Sequence, residues 1–205
     1  MARSEKARGK VVRRLGVNIY GNVKYDKLLK KKPQGPGQER GKRSRNKISN
    51  FGQQLLEKQK IRFAYGISEK QFYNTFLKAK KKDGLTGDNM MILLERRLDN
   101  VVYRLGMATT RAQARQMVSH GHIRLNGERS NIPSIVVREG DEIKVKDNDG
   151  SKKLVRENLA KSGQPVPVWL SIVEDSLVGK IERLPYRTDI STVANEQAVV
   201  EFYSK

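Results

Sequence analysis

The chain has 205 residues, enough for one large or two small domains, and 37% of it is apolar, a low share that still suffices for a core. Its 42 lysines and arginines against 22 aspartates and glutamates leave a net charge of +20, more than solubility requires, which points to an anionic partner. The absence of cysteine excludes disulfides, thiol catalysis and cysteine-ligated zinc, and with no apolar signal core in MARSEKARGKVVRR and no stretch near the roughly 20 apolar residues of a membrane span, a soluble, intracellular protein is expected.

Charge is uneven along the chain. Residues 1–50 carry 16 bases and 3 acids, whereas residues 141–205 carry 10 and 11. Two prolines, three glycines and dense positive charge in KKKPQGPGQERGKRSRNK build no core, so residues 1–50 read as a basic extension with little regular structure that orders on a polyanion. From Ser49 the pattern changes. Phe51, Leu55, Leu56 and Phe63 in SNFGQQLLEKQKIRFAYG predict a helix stopped near Gly66. Ser68 with Gln71 forms a capping box for the next helix, whose stripe is Phe72, Phe76 and Ala79, with Gly84 closing it. Both helices should present a basic outer surface, although the short run KAKKKDG by itself reads as a solvated face.

One longer helix is predicted in GDNMMILLERRLDNVVYRLG, capped by Asp88, striped by Met91, Leu94, Leu98, Val101 and Leu105, and ended by Gly106. A second capping box, Thr110 with Gln113, starts a helix to about Ser119 that buries Ala114, Met117 and Val118 before Gly121 stops it. The period then becomes two. Ile123 and Leu125 alternate with His122 and Arg124, and Asn126-Gly127 is a hairpin signal. Further strands are expected in SIVVRE and EIKVK, so residues 94 to about 147 read as helix, helix and small sheet. Residues 148–167 read as a connector with one helical turn, VWLSI as a strand with Trp169 buried, and STVANEQAVVEFYSK as a final helix with Ala198, Val199 and Phe202 on one side.

The chemistry-bearing residues favour binding over catalysis. His120 and His122 lack a third and fourth ligand of diagnostic spacing, no Ser sits in a G-x-S-x-G context, and no phosphate loop follows a strand. Arg111 and Arg115, four apart, share a helix face beside the amides of a capped N-terminus, an arrangement suited to phosphate. His122 and Arg124 alternate outward from the strand, Asn126 and Arg129 lie at or beyond the turn, and His120 ends the helix, so one surface for structured RNA is expected. These residues alone leave DNA open.

The stretch RLDNVVYRLGMATTRAQARQMVSHGHIRLNG resembles the S-four RNA-binding domain, found in a ribosomal protein, in several RNA-modifying enzymes and in a tRNA synthetase. KKKPQGPGQ, FGQQLLEKQKIRFAYGISEKQF, TGDNMMILLERRLDNVVYRLG and ANEQAVVEFYS extend the resemblance over nearly the whole chain to the S-four family of small-subunit ribosomal proteins. The resemblance implies an α+β fold: a mainly helical domain, an inserted helix-hairpin module with a small β-sheet, and a basic irregular N-terminal extension. It implies divisions at 1–50 for the extension, 51–93 for the first helical part, 94–158 for the RNA-binding domain, and 159–205 for a C-terminal strand and helix returning to pack near FGQQLLEKQK. It also implies a non-enzymatic, rRNA-binding ribonucleoprotein constituent of the ribosome in the cytoplasm, serving translation and ribosome assembly. Its partners would be 16S rRNA, the fifth small-subunit protein and mRNA where it enters the subunit, with no membrane, cofactor or metal. Many bacterial members hold zinc through four N-terminal cysteines that this chain lacks, so its N-terminal segment must be held by RNA and protein contacts.

The candidate RNA contacts are Lys31, Lys32, Arg43, Arg45, Lys47, Lys58, Lys60, Arg62, Thr110, Arg111, Arg115, His120, His122, Arg124, Asn126 and Arg129. The competing readings are an RNA-modifying enzyme, which would need a separate catalytic domain, and a DNA-binding regulator, which would read the major groove through its second helix.

Overall fold

The computed structural model describes residues 7–37, 48–161, 163, 165–173, 175–192 and 194–204. The helices are α1 (Arg8–Leu15), α2 (Val23–Lys31), α3 (Asn50–Tyr65), α4 (Glu69–Lys80), α5 (Thr86–Glu95), α6 (Leu98–Arg104), α7 (Arg111–Ser119), α8 (Asp149–Lys161) and α9 (Glu196–Tyr203). The strands are β1 (Ile123–Leu125), β2 (Glu128–Arg129), β3 (Glu142–Val145), β4 (Leu170–Val173) and β5 (Val178–Ile181). The expected α+β class holds. The chain forms two units, one of Met1–Gly87 with Thr192–Lys205 and one of Asp88–Ser191.

In the first unit, α1 and α2 occupy a segment expected to have little regular structure. Val11 and Leu15 lie four apart on α1 and, with Ile19, bury against Phe63 of α3. Gly16 in the left-handed region ends α1, and Asn22 caps α2 by accepting from the Lys24 amide. Charge density masked this short apolar repeat, which supplies a small core to a segment expected to rest on outside contacts.

Ser49, where the sequence pattern changes, caps α3, and Gly66, at φ 62°, ends it at the predicted place. The buried side is different: Gln54, Lys58, Ile61, Phe63 and Tyr65 face inward while Phe51 is exposed. Two polar residues fit there because α9 and α4 supply partners. Gln54 donates to Glu201 at 2.8 Å, Lys58 donates to Glu69 at 2.6 Å, and Phe202 of α9 packs on Phe51. On α4 the predicted cap Ser68 and stripe Phe72, Phe76 and Ala79 are all in place.

In the second unit the single long helix expected over 88–105 is two helices, and Asp88 lies in the first turn of α5 rather than capping it. Arg97 is extended between α5 and α6, where it bridges Val136; Val137 N–H donates to Arg96 and Leu98 N–H to Ile135. The break satisfies the SIVVRE segment, which forms this single bridge instead of a strand. Leu94, Leu98, Val101 and Leu105 stay buried because a spacing of four survives the break.

The sheet is antiparallel, in the order β2-β1-β3-β5-β4. Asn126 at φ 52° and Gly127 at φ 82° make the predicted two-residue hairpin between β1 and β2. Ile123, Ile143, Val145, Leu170 and Ile181 point inward onto α6 and α7, and Trp169 is buried with them. A side chain at Gly179 would collide with Leu105, so glycine there lets α6 approach the sheet. Residues read as a connector contain α8, a 13-residue helix. Its inward stripe is Ser151, Val155 and Asn158, too polar to announce a helix, and Asn158 earns its interior place by donating to the Met107 carbonyl at 2.9 Å. The β5 strand was not foreseen. With β4 it joins this sheet rather than the returning C-terminal helix. No helix among the described residues is long and apolar enough to cross a membrane.

Candidate nucleic-acid interface

The helix α7 forms where expected, with the Thr110 hydroxyl accepting from the Gln113 amide, while the Gln113 side chain accepts from the Thr109 amide at 2.8 Å. Arg111 and Arg115 do share a face of it, but that face leans onto α6 and leaves both half-buried. Arg115 donates through Nε and a terminal nitrogen to Asp99 at 2.8 and 2.6 Å, and Arg97 holds both oxygens of the same carboxylate at 3.0 Å. Arg111 donates to Asn100 at 2.8 Å and lies over the Tyr103 ring. Asn100 in turn donates to Glu95, which Arg104 grips at 2.7 and 3.0 Å. Glu95, Arg97, Asp99 and Asn100 are all buried, so this network holds the break between α5 and α6 together. The open helix face expected for Arg111 and Arg115 is therefore corrected: both are half-buried and hydrogen-bonded to residues of α6.

The outward face of the sheet is different. Pairing sets Arg124 opposite Arg129 on one side and opposite Lys144 on the other, while His122 and Lys146 adjoin one another at the end of the same ladder. Since alternate residues share a face, the row Arg129, Arg124, Lys144 lies opposite the apolar face made by Ile123, Ile143 and Val145. Arg124 and Arg129 are exposed, and the only acid on β3, Glu142, pairs with Lys144 at 3.0 Å with both side chains in water. The positive field reaches neighbours: the Asp147 carboxyl is held below its ordinary value first by a hydrogen bond and the charge of Lys152 and further by Arg124.

Gly121, at φ 72°, turns α7 into β1 and leaves room for Arg129, whose Nε would lie 2.7 Å from any added side-chain carbon. The turn thus seats the Arg129 guanidinium at the C-terminal end of α7, where the helix dipole favours a cation. His120 is exposed and caps that end; its ring lies 6.2 Å from that of His122, which meets Ser151 of α8 through Nδ1 at 3.0 Å. Asn126 is exposed but its side chain is engaged: it donates to Asp141 at 2.9 Å and accepts from the Glu142 amide at 2.8 Å, which locks the hairpin.

In the first unit, Lys31 and Lys32 are exposed at the end of α2. Arg43, Arg45 and Lys47 lie outside the described residues. Lys58, Lys60 and Arg62 do not form the expected basic outer surface. Lys58 is buried against Glu69 and the Phe202 ring, Lys60 pairs with Glu57 at 2.6 Å, and Arg62 reaches Glu69 at 3.4 Å and lies over Phe63. Lys144 and Lys146 were overlooked in the sequence. The alternation that points Ile143 and Val145 inward sends both outward, but only the pairing with β1 shows that they continue the row of Arg124.

Two family models match the chain: the one described as "Ribosomal protein S4/S9 N-terminal domain" over residues 3–95, and the one described as "S4 domain" over residues 96–143. Among characterised relatives, the small ribosomal subunit protein uS4 of Borreliella burgdorferi is 54% identical over 207 residues, covering 100% of this chain and 99% of the relative. The protein of the same name from Borrelia hermsii is 55% identical with the same coverage, and that from Treponema denticola is 54% identical over 201 residues, covering 98% of each chain.

Proposed function

The chain belongs to the ribosomal protein S4 family, and on that premise we propose that it is a primary binder of 16S rRNA whose docking nucleates assembly of the small-subunit body. Membership makes it a structural, rRNA-binding constituent of the small ribosomal subunit and not an enzyme, working in the cytoplasm as part of the ribosome. In the assembled particle it neighbours the fifth protein near the point where mRNA enters, and there it contributes to translational accuracy.

The observation that carries the RNA-binding reading is the row of exposed Arg129 and Arg124 with half-exposed Lys144, on a sheet whose other face is core. Arginine forks match phosphate oxygens and stack on exposed bases, so such a row grips a folded RNA by its backbone. Each phosphate neutralised releases counterions, which makes affinity fall steeply with salt, with a logarithmic slope of roughly 0.7 to 0.9 per contact.

The test compares the full chain's affinity for a fragment of the 16S 5′ domain with that for duplex DNA at equal salt, then omits the chain from a subunit reconstitution. Tight, salt-dependent binding of the RNA and failure of later body proteins to join are the expected results. A preference for duplex DNA, or normal body assembly without the chain, overturns the proposal.

A further inference from the structure

The geometry points to a second RNA contact, on the outward face of α4, where an unpaired base stacks on Tyr73 between phosphates held by Lys70 and Lys81. This inference rests on the RNA-binding reading above and adds to it a site in the other unit of the chain.

Lys70, Tyr73, Leu77 and Lys81 follow one another at steps of three and four, so they form one stripe along α4 and its C-terminal cap. The opposite side is the buried one, Phe72, Phe76 and Ala79. The stripe is open: Tyr73 is 43% and Leu77 39% exposed, and Lys70, Lys78, Lys80 and Lys81 are all exposed. No acid occurs between Glu69 and Asp83. Glu69 does not neutralise the stripe either, because its carboxylate is taken by Lys58 and Tyr203. A merely solvated lysine face has no use for a tyrosine and a leucine at its centre.

The Tyr73 ring is also held in place. It stacks on Phe76 at 6.4 Å between centroids, 22° apart, and leans on Tyr203 at 5.3 Å. A ring fixed from behind and exposed in front is a stacking platform. Aromatic rings accept any base, and flanking lysines hold the backbone, which is how proteins grip single-stranded nucleic acid. The stripe from Lys70 to Lys81 is about 16 Å long at 1.5 Å per residue. Its charge suits phosphate and repels a basic protein face.

The test measures binding of the full chain to the 16S 5′-domain fragment for Tyr73→Ala, Tyr73→Phe and the pair Lys70→Gln with Lys81→Gln, with helix content checked by circular dichroism. Tyr73→Ala should weaken binding roughly tenfold, Tyr73→Phe should bind as the parent does, and the lysine pair should lower the salt slope by about 1.4. The lysine pair touches no buried residue, so it still reads the site if Tyr73→Ala loosens the packing with α9. Unchanged affinity and slope in the lysine pair overturn the inference, including the case in which assembled subunits lose a protein neighbour instead. Equal losses in Tyr73→Ala and Tyr73→Phe overturn the stacking role. The variant Arg124→Gln with Lys144→Gln, measured alongside, separates the two readings: if it weakens binding and the α4 variants do not, this inference alone fails, and if the parent binds no RNA, both do.

Discussion

The cations around α6 and α7 and those on the outer face of the sheet come from the same basic stretch of sequence, yet they stand in opposite electrostatic situations. Arg97, Arg104 and Arg115 each meet a carboxylate, Asp99 or Glu95, whose side chain is only 1–3% exposed. Lys144 meets Glu142 with both side chains 45% exposed, where water screens the pair. Taking a charge out of water is costly, so in the first region each cation and carboxylate depends on the other. In the second the attraction is weak, and an incoming phosphate displaces Glu142 at little cost. A basic sequence thus divides into cations that hold the fold and cations on offer, and a buried carboxylate within reach decides which is which.

Breaking the buried side of that comparison should have the largest effect. Asp99→Ala leaves buried Arg97 and half-buried Arg115 without their shared carboxylate, and removing one partner of such a cluster costs about 3–5 kcal/mol. Urea unfolding should show the loss; a midpoint within error of the parent's would mean that the arginines find water, and the contrast between regions would collapse. Next in size is Arg111→Ala with Arg115→Ala. Two arginines on an open helix face would be removable without harm to the fold, whereas arginines bonded to Asn100 and Asp99 are not. The double variant should lose about 2 kcal/mol of stability, with Arg97 still on Asp99, and melt early in circular dichroism even with no RNA present.

The same contrast explains what could be read from the sequence. Caps and stops were legible because they are local: Ser49, Ser68 and Thr110 cap through the amides of residues three positions ahead, and Gly66 and Gly121 adopt left-handed backbone. The Asn126-Gly127 turn was legible for the same reason. The break at Arg97 was not, because its cause is the distant Val136 segment that pairs there, and α8 escaped because its inward stripe is partly Ser151 and Asn158. At the candidate interface the outward alternation of Arg124 was legible. The engagement of Lys58, Arg115 and Asn126 within the fold was not, since each depends on a partner, Glu69, Asp99 or Asp141, that only the fold brings near.

The exposed side of the comparison yields an effect on binding without one on stability. Arg124→Gln with Lys144→Gln removes two cations of the row and should lower the salt slope for the 16S 5′-domain fragment by about 1.4 to 1.8. Its unfolding midpoint should shift by no more than about 0.5 kcal/mol, as for ordinary surface changes. An early-melting variant would put these residues with the buried set.

The smallest effect extends the comparison to Lys58, a cation of the other unit that the fold also buries against a carboxylate. Burial opposes ionisation of Glu69, but hydrogen bonds from Lys58 and Tyr203 outweigh it and hold the carboxyl below its ordinary value. Burial, then the hydrogen bond to Glu69, pushes the Tyr203 hydroxyl up. The two shifts limit stability on opposite sides. The folded state favours ionised Glu69, so that contribution is present above the ordinary carboxyl range and is lost as pH falls through the lowered value. It favours neutral Tyr203, so that contribution is present below about pH 10, the ordinary tyrosine value, and is lost as pH rises beyond it. Tyr203→Phe should therefore cost about 1 kcal/mol at neutral pH, flatten the alkaline fall in stability, and move the acid fall to higher pH because Glu69 loses a donor. Unfolding midpoints of the full chain from pH 3 to 11 would show this; an acid limb unmoved by Tyr203→Phe would mean that Lys58 and Arg62 hold Glu69 ionised without the tyrosine.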